Sequence, residues 1–206
     1  MIIETAICIL ACARLGVVHS VVFGGFSAKE LSNRIKDCKP KAILSASCGL
    51  EPHKTIFYPT YIREAKEMVG NKNLLTIYVN RKQKPIEKLQ ENEFFYQDLF
   101  KDAGKVDAVP LPSTHPLYIL YTSGTTGNPK GIYRDHGGTT VGVRLSLEYG
   151  FGFERESVMF ATSDFGWVVG HSYIVYGPLL FGATSIIYEG KPIKTPDCGS
   201  YFRIVE

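Results

Sequence analysis

The sequence predicts an α/β fold with a mainly parallel β-sheet and flanking helices. Short apolar, β-branched runs alternate along the chain with stretches of helical periodicity, as in repeated strand–helix–strand units. The composition, 45% hydrophobic and 21% charged, is that of a globular protein with a substantial core. The 206 residues allow one large domain or two small ones.

The N-terminal segment "TAICILACAR" predicts a buried amphipathic helix. Its apolar residues recur at helical spacing: Ile3, Ile7, Leu10, Ala11 and Leu15. The segment also resembles the apolar region of a secretory signal, but Glu4 and the lack of a preceding positive charge favour the helix. The run is too short to cross a bilayer.

The remaining elements follow from local patterns. Residues 17–23 are almost continuously apolar, which predicts a buried parallel strand containing His19 as a hydrogen-bonded core residue. Ser27 and Glu30 form a capping box for a helix that ends near Lys36. Further strands are predicted at 42–46, 74–79, 117–121, 158–161 and 184–188, and further helices at 60–69, in "FFYQDLF", near 141–147 and after "PDCGS".

These patterns divide the chain into three parts. Residues 1–79 form a first α/β half, residues 80–116 an irregular connector with several prolines, and residues 117–206 a second half that contains a glycine-rich loop. Both ends are predicted to be cut, because the chain opens inside a helix and stops soon after another one begins.

Charge and cysteine content exclude several classes of protein. The net charge of +3 is small and spread along the chain, which argues against a nucleic-acid surface or a polybasic membrane patch. The five cysteines are an odd number without CxxC spacing and lie mostly in apolar runs, which predicts reduced core residues of an intracellular protein.

The segment "YTSGTTGNPKG", directly after the predicted strand 117–121, has the chemistry of an anion-binding loop. Hydroxyl groups come from Thr122, Ser123, Thr125 and Thr126. Glycines that allow close backbone approach are Gly124, Gly127 and Gly131. Lys130 adds a mobile positive charge. The loop is not a GxxxxGK[ST] P-loop, because Pro129 stands where that motif has glycine.

This loop resembles, without a gap, the signature loop of the acyl-adenylate-forming (AMP-binding) enzymes. Two further segments, "ACARLGVVHSVVFGGFSAKELSNRI" and "SDFGWVVGHSYIVYGPLLFGATSIIYEGKP", resemble the short-chain branch, the acetyl- and propionyl-CoA synthetases, and are most like its propionate-like members. The resemblance extends over nearly the whole chain, apart from residues 80–110.

The resemblance implies an incomplete piece of the large N-terminal domain, with the mobile C-terminal domain and its adenylation lysine absent. It implies a ligase that uses ATP with Mg²⁺ to form an acyl-adenylate and then transfers the acyl group to coenzyme A. The partners are therefore small molecules. The propionate-like character implies the mitochondrial matrix, with the cytoplasm as the alternative and secretion excluded.

Site residues are carried over only where this sequence matches the family. The loop residues implied to bind the ATP phosphates are Thr122, Ser123, Gly124, Thr125, Thr126, Gly127 and Lys130. The residues implied to contact coenzyme A are Phe23, Gly24, Gly25, Glu51, Pro52, His53, Lys54 and Val169. The acyl pocket is implied at Trp167, Val168 and Val169, and no catalytic residue or metal site is expected in these 206 positions.

Three departures from the family pattern affect these expectations. His53 and Lys54 stand where propionate-like members have Gly and Arg, which predicts weaker coenzyme A binding because lysine cannot form a bidentate fork. Val169 replaces a threonine of acetyl-type members, which modestly favours propionate. Asp164 and His171 are interpreted as structural residues of the turn around Trp167.

The residues leave other interpretations open. Without the resemblance, Val168 and Val169 would be ordinary core residues and Phe23–Gly25 an ordinary turn. The chain is either a fragment of a working short-chain acyl-CoA synthetase or an inactive nucleotide-binding remnant of one. An unrelated nucleotide-binding protein is less favoured, because it would lack the two flanking segments.

Overall fold

A computed structural model describes residues 1–101, 103–122, 129–191 and 194–206. Its α-helices are α1 (Ile3–Leu15), α2 (Ala28–Cys38), α3 (Tyr58–Met68), α4 (His136–Leu145), α5 (Val168–Gly170), α6 (Gly177–Phe181) and α7 (Ser200–Val205). A 3₁₀ turn covers Tyr96–Phe100, and wider π-type turns cover Ser146–Gly150 and His171–Tyr176. No helix in these ranges is long and apolar enough to cross a membrane.

The strands pair mainly in parallel. They are β1 (Ala42–Ala46), β2 (Cys48–Glu51), β3 (Lys54–Phe57), β4 (Leu75–Val79), β5 (Glu93–Phe95), β6 (Pro116–Thr122), β7 (Lys130–Asp135), β8 (Val158–Met159) and β9 (Thr184–Ser185). The β1–β4, β4–β5 and β8–β9 pairs are parallel, whereas β2–β3 and β6–β7 are antiparallel hairpins. The α/β class with parallel strands is therefore confirmed, and the two hairpins were not predicted.

The chain forms two compact units. We call residues 1–23, 107–189 and 201–206 the loop unit, since they flank the glycine-rich loop, and residues 24–106 and 190–200 the hairpin unit, since they contain β2 and β3. Each unit has its own hydrophobic core. The predicted three-part domain organisation remains a prediction.

In the hairpin unit, α2 and α3 pack on the parallel sheet β1–β4–β5. Ala28 and Ile35 of α2 contact Ala65 of α3 in one cluster, and Ile62 contacts Tyr78 of β4 in another. These contacts put the apolar side of each helix against the sheet. They confirm the two helices and two strands that the sequence predicts for this region, within two residues at each end.

The capping box before α2 is only half formed. The Ser27 side chain accepts a hydrogen bond from the Glu30 backbone N–H at 3.3 Å, as the sequence predicts. The Glu30 carboxylate, however, pairs with Arg34 one turn later at 2.8 Å. An ion pair with a guanidinium thus replaces the return bond to the cap residue.

In the loop unit, α1 buries a different face from the one predicted. The helix spans the predicted segment, but its buried residues are Ala6 and Ile9, which belong to the same core cluster as Leu117, Tyr118 and Phe165. The predicted apolar stripe is largely exposed: Ile3, Ile7, Leu10, Ala11 and Leu15. The core of the loop unit thus receives Ala6 and Ile9 instead of the predicted stripe, so the burial predicted from apolar spacing is wrong.

The predicted strand at residues 17–23 is reduced to one β-bridge. His19 pairs in parallel with Tyr118, and the Ile119 N–H donates to the His19 carbonyl at 2.9 Å. Val17 and Val18 are exposed, and the segment makes no further ladder within the described residues. The parallel direction is confirmed, but the extended buried strand is wrong.

The cysteines form no disulfide in the described part of the chain, which contains all five. Cys48 is buried, Cys198 is exposed, and the other three are half-buried. Burial raises the pKa of the Cys8 thiol to about 11, and the nearby Cys12 and Glu4 add to the effect. Only Cys48 is a fully buried core residue, so the expectation that most of the thiols lie in the core is wrong. The reduced state of the thiols remains a prediction.

A buried ion pair joins α3 to the edge of the parallel sheet. The Arg63 guanidinium donates two hydrogen bonds to the Glu93 carboxylate, at 2.9 and 2.6 Å, and the Glu93 side chain has no exposed surface. The Gln90 N–H and the Tyr78 hydroxyl also donate to Glu93. Burial alone would raise the pKa of Glu93, but the hydrogen bonds and charges of Arg63, together with Lys66, outweigh it and lower this pKa.

We therefore predict that Arg63→Met destabilises the chain, because it leaves a buried carboxylate without its cation. The expected loss in the free energy of unfolding is about 3 kcal/mol, measured by urea denaturation. The matched control is Lys72→Met, which breaks an exposed pair with Glu67 at 3.8 Å and should cost well under 1 kcal/mol. If both variants lose the same free energy of unfolding, the buried pair contributes no more to stability than the exposed one.

The Arg63–Glu93 pair also predicts the direction in which stability changes with pH. Since the pKa of Glu93 is lower in the folded state, its contribution is fully present above its ordinary value of 4.5 and disappears as the pH falls through the folded value. In Arg63→Met this part of the acid sensitivity should be absent. If the free energy of unfolding falls with decreasing pH equally in the variant and the wild type, this assignment to Glu93 is contradicted.

Candidate functional site

The ends of the glycine-rich loop lie opposite each other on a hairpin. Thr122 at the end of β6 and Lys130 at the start of β7 are paired residues, and both are exposed. The other loop residues assigned to phosphate binding lie outside the described residues: Ser123, Gly124, Thr125, Thr126 and Gly127. The loop therefore leaves and re-enters the sheet at adjacent positions.

The β6 strand is anchored below the loop by burial. Leu117 and Tyr118 are 3% and 2% exposed, and exposure increases toward Thr122. The strand thus runs from the core of the loop unit to its surface. This gradient presents the hydroxyl of Thr122 and the ammonium group of Lys130 to solvent, where an anion could reach them.

A tightly closed turn precedes α5. The Gly166 N–H donates to the Asp164 carboxylate at 2.8 Å, and the Trp167 N–H donates to the Asp164 carbonyl at 3.1 Å. A Cβ at Gly170 would collide with that carbonyl, and a Cβ at Gly166 would lie 2.8 Å from the Phe23 nitrogen. Glycine is required at both positions by close backbone packing. The structural role expected for Asp164 is thus observed.

Three apolar side chains follow this turn on the surface of the loop unit. Trp167, Val168 and Val169 are 46%, 47% and 42% exposed, so the interpretation of the two valines as core residues is wrong. The Trp167 and Phe23 rings lie 5.8 Å apart at 38°. The structure therefore brings together one residue assigned to coenzyme A and one assigned to the acyl pocket.

Behind this surface lies a buried aromatic and imidazole cluster. His19 and His171 stack at 5.6 Å and 7°, and the Tyr118 ring lies 4.6 Å from His171. Burial lowers the pKa of His19 to about 3, with His171 and then His136 adding to the effect, and burial also lowers the pKa of His171. Both imidazoles are therefore neutral at physiological pH.

The cluster corrects the interpretation of His19 as a fully hydrogen-bonded core residue. Its Nε2 lies 3.4 Å from the Tyr176 hydroxyl, but its Nδ1 has no hydrogen-bond partner among the described residues. The Nε2 of His171 is in the same situation. Two neutral rings thus stack in the core with one nitrogen each unsatisfied, which a sequence pattern cannot show.

In the hairpin unit, two glycines make room for one tyrosine. A Cβ at Gly24 or at Gly49 would collide with the Tyr58 hydroxyl. Tyr58 begins α3, so the turn at Gly24 and the β2 strand converge on the start of this helix. Gly25 lies beside Gly24 in the same exposed turn. A side chain at position 24 would therefore require Tyr58 to move, whatever ligand approaches it.

The "EPHK" segment forms the tip of the β2–β3 hairpin. Glu51 and Lys54 are paired residues on either side of the turn that contains Pro52 and His53. The carboxylate of Glu51 pairs with Lys191 at 3.4 Å. The hairpin thus holds the four residues assigned to the nucleotide end of coenzyme A in one turn.

A second lysine reaches the same tip. The Lys194 ammonium lies 3.4 Å from His53 Nε2, which accepts the hydrogen bond in its neutral form. We call Lys54, Lys191 and Lys194 the basic tip of the hairpin. Sequence reasoning missed Lys191 and Lys194 because they are about 140 positions away from the turn. The "EGKPIKTP" run contains both lysines, but nothing in it indicates that they reach the hairpin tip.

Comparisons with known proteins show which family the chain resembles. A family model described as "AMP-binding enzyme" matches residues 1–205. The chain is 45% identical over its full length to acyl-CoA synthetase short-chain family member 3, mitochondrial, from Rattus norvegicus, and 43% identical to propionate--CoA ligase from Escherichia coli (strain K12). It spans 30% and 33% of these two proteins.

A solved structure supports the fold. The acetoacetyl-CoA synthetase from Streptomyces lividans superposes with a TM-score of 0.87 over the whole chain, which covers 31% of that protein at 24% identity. At this identity the likeness establishes the fold alone. The chain thus corresponds to about a third of each of these larger proteins.

We predict that Gly166→Ala disturbs the contact between the Asp164 turn and Phe23. The added methyl group would lie 2.8 Å from the Phe23 nitrogen and 2.9 Å from its Cα, so backbone has to move. We expect a loss of about 2 kcal/mol in the free energy of unfolding.

The matched control is Gly142→Ala in the middle of α4, where a Cβ meets no atom within 4 Å. This change should stabilise the chain by up to about 1 kcal/mol, because alanine favours helix. Chemical denaturation of both variants gives the comparison. A Gly166→Ala protein as stable as the wild type would show that the turn can move without cost.

Proposed function

Because the chain belongs to the AMP-binding enzyme family, we propose that it is part of a short-chain acyl-CoA synthetase. The proposed enzyme joins propionate or acetate to coenzyme A and converts ATP to AMP and pyrophosphate. The observation that carries the proposal is the "YTSGTTGNPKG" segment, whose ends Thr122 and Lys130 meet at the exposed end of a buried strand. The names of the rat and E. coli relatives support the same reaction class.

The proposed reaction has two steps. In the first, a carboxylate oxygen of the substrate attacks the α-phosphorus of ATP, and the bond to the bridging oxygen breaks to release pyrophosphate. In the second, the coenzyme A sulfur, having lost its proton, attacks the acyl carbon and AMP leaves with the bonding electron pair. Negative charge grows on the pyrophosphate in the first step, so fixed donors around it lower the barrier.

The exposed loop ends fit the binding of this leaving group. Lys130 supplies a cation whose ammonium group is not buried, and Thr122 supplies a hydroxyl donor opposite it. Both extend from a strand pair anchored by Tyr118 in the core. A rigid base for two side-chain donors suits a polyphosphate chain with bound Mg²⁺. Lys130 would bind such an anion as a point charge beside the hydroxyl donors.

The exposed apolar surface next to the Asp164 turn fits a short acyl chain. Trp167, Val168 and Val169 present apolar surface without being core residues. Burying one additional methylene of a substrate against such a wall is worth a few-fold to about a hundredfold in discrimination. Valine at position 169 therefore supports propionate over acetate as the better substrate.

The basic tip fits the phosphates at the nucleotide end of coenzyme A. Lys54 and Lys194 are exposed, and the Lys194 ammonium reaches His53 at the tip. Glu51 holds Lys191 and partly neutralises it. The tip therefore retains positive charge for a phosphate, although it lacks an arginine that could bind two oxygens at once.

The mitochondrial name of the rat relative supports a matrix location, which fractionation of the source cells would test.

The test of the function is pyrophosphate release. We expect the full-length enzyme, supplied with ATP, Mg²⁺ and coenzyme A, to release pyrophosphate with propionate faster than with acetate or butyrate. The 206-residue chain alone should release none, because the family's adenylation lysine is not among its residues. A full-length protein that releases no pyrophosphate with any short carboxylate would identify an inactive remnant.

We also predict that Lys54→Arg strengthens coenzyme A binding. A guanidinium can donate two parallel hydrogen bonds to one phosphate, so the KM for coenzyme A of the full-length enzyme should fall roughly threefold, with a weaker effect at high salt. Lys72→Arg, on the exposed surface of the same unit, is the matched control and should change nothing. An unchanged KM in Lys54→Arg would remove the basic tip from the coenzyme A site.

A further inference from the structure

We propose that His171 is a positioning residue, which fixes the main chain of Trp167 and thereby the orientation of the exposed indole. The consequence of this positioning for binding of the carboxylate substrate rests on the proposed function, because the acyl pocket at Trp167 is part of that proposal. The link between the two residues stands independently on their contacts.

The first contact is a hydrogen bond from the imidazole to the main chain. His171 Nδ1 lies 3.1 Å from the Trp167 carbonyl oxygen. A carbonyl can only accept, so Nδ1 carries the proton and donates. The His171 backbone N–H donates to the same oxygen at 3.2 Å. One residue thus satisfies both lone pairs of the Trp167 carbonyl.

The imidazole that makes this bond is itself held in place. His171 is 0% exposed, and its ring contacts those of Tyr118 at 4.6 Å and His19 at 5.6 Å. Its near-parallel stacking on His19, at 7°, leaves little freedom for rotation about the Cβ–Cγ bond. The Nδ1–H group of His171 therefore points in a fixed direction, and its hydrogen bond restrains the position of the Trp167 carbonyl.

The other imidazole nitrogen argues against a role in packing alone. His171 Nε2 is buried and has no hydrogen-bond partner among the residues that the structure describes. An unsatisfied buried acceptor costs free energy, which a phenylalanine or leucine of similar size would avoid. The Nδ1–H bond to Trp167 is the compensating interaction that an apolar residue could not make.

The rest of the turn leaves Trp167 few alternatives. Its N–H donates to the Asp164 carbonyl at 3.1 Å, so its main chain is bonded on both sides. Gly166 packs against the Phe23 backbone, and the Phe23 ring lies 5.8 Å from the indole. With the main chain held in this way, the 46% exposed indole keeps one face toward Phe23 and presents the rest to solvent.

Two substitutions separate hydrogen bonding from packing. In His171→Asn the side-chain amide nitrogen takes the place of Nδ1 and can still donate to the Trp167 carbonyl. In His171→Gln the amide takes the place of Nε2 and cannot reach that carbonyl. Both variants lose the ring and its stacking, so each serves as the matched control for the other.

Trp167 is the one tryptophan in the sequence, so fluorescence of the 206-residue chain reports directly on it. In His171→Gln we expect the acrylamide quenching constant to rise roughly twofold and the anisotropy to fall, because the indole gains nanosecond motion. In His171→Asn both should stay close to wild type. Equal changes in the two variants, or no change in either, would overturn the positioning role.

Kinetics of the full-length enzyme test the consequence for the carboxylate. The KM for propionate should rise roughly tenfold in His171→Gln, with the KM for ATP unchanged, and should remain near wild type in His171→Asn. A rise in both KM values together would indicate general destabilisation and reject the link to the pocket.

The two measurements also separate this inference from the proposed function. If the wild-type enzyme makes no acyl-CoA, the proposed function fails, and the fluorescence still decides whether His171 positions Trp167. If the 206-residue variants do not fold, shown by circular dichroism, the difference between the KM values of the Asn and Gln enzymes decides it. Fluorescence that changes as expected while the KM for propionate stays constant would restrict His171 to a structural role.

Discussion

The packing of β6 is the constraint on which the loop unit depends. Leu117 and Tyr118 are almost fully buried; the His19 bridge, the His171 ring and β7 contact this pair, and α1 contributes to the same core cluster. Because one short strand fixes all of them, the same core that stabilises the unit also sets where Thr122 reaches the surface. Stability and the geometry of the loop ends therefore have a common physical origin.

The sequence predicts elements best where the signal is local. Ser27 marks the start of α2 because a hydroxyl cap acts over three residues, and Gly70, with a φ of 68°, lies where the sequence places the end of α3. The failures concern contacts between distant residues. The apolar spacing of α1 identifies a helix, but the core cluster that Ala6 and Ile9 share with the distant Phe165 decides which face is buried. The run 17–23 likewise has strand composition without a ladder to extend it.

The same limit applies to the candidate site. A resemblance identifies Lys130 and the "EPHK" turn, since these are contiguous motifs. It cannot reveal that Lys194 lies against His53, or that the His171 ring reaches back to the Trp167 carbonyl. The "RDHGG" segment shows the opposite case. The sequence assigns this segment no role, yet Asp135 caps α4 by accepting from the Gly138 N–H at 2.6 Å.

The polar core of the loop unit follows from the requirements of its surface. A cluster with two unsatisfied imidazole nitrogens is less stable than an apolar core of the same volume. Such a cost is retained where directional bonds are needed, and here the directed bond holds the turn that exposes Trp167, Val168 and Val169. A core of leucine and phenylalanine would fill the space behind these residues, but it would not hold the carbonyl that orients the first of them. The arrangement therefore gives up some stability of the core to fix the shape of an exposed apolar wall.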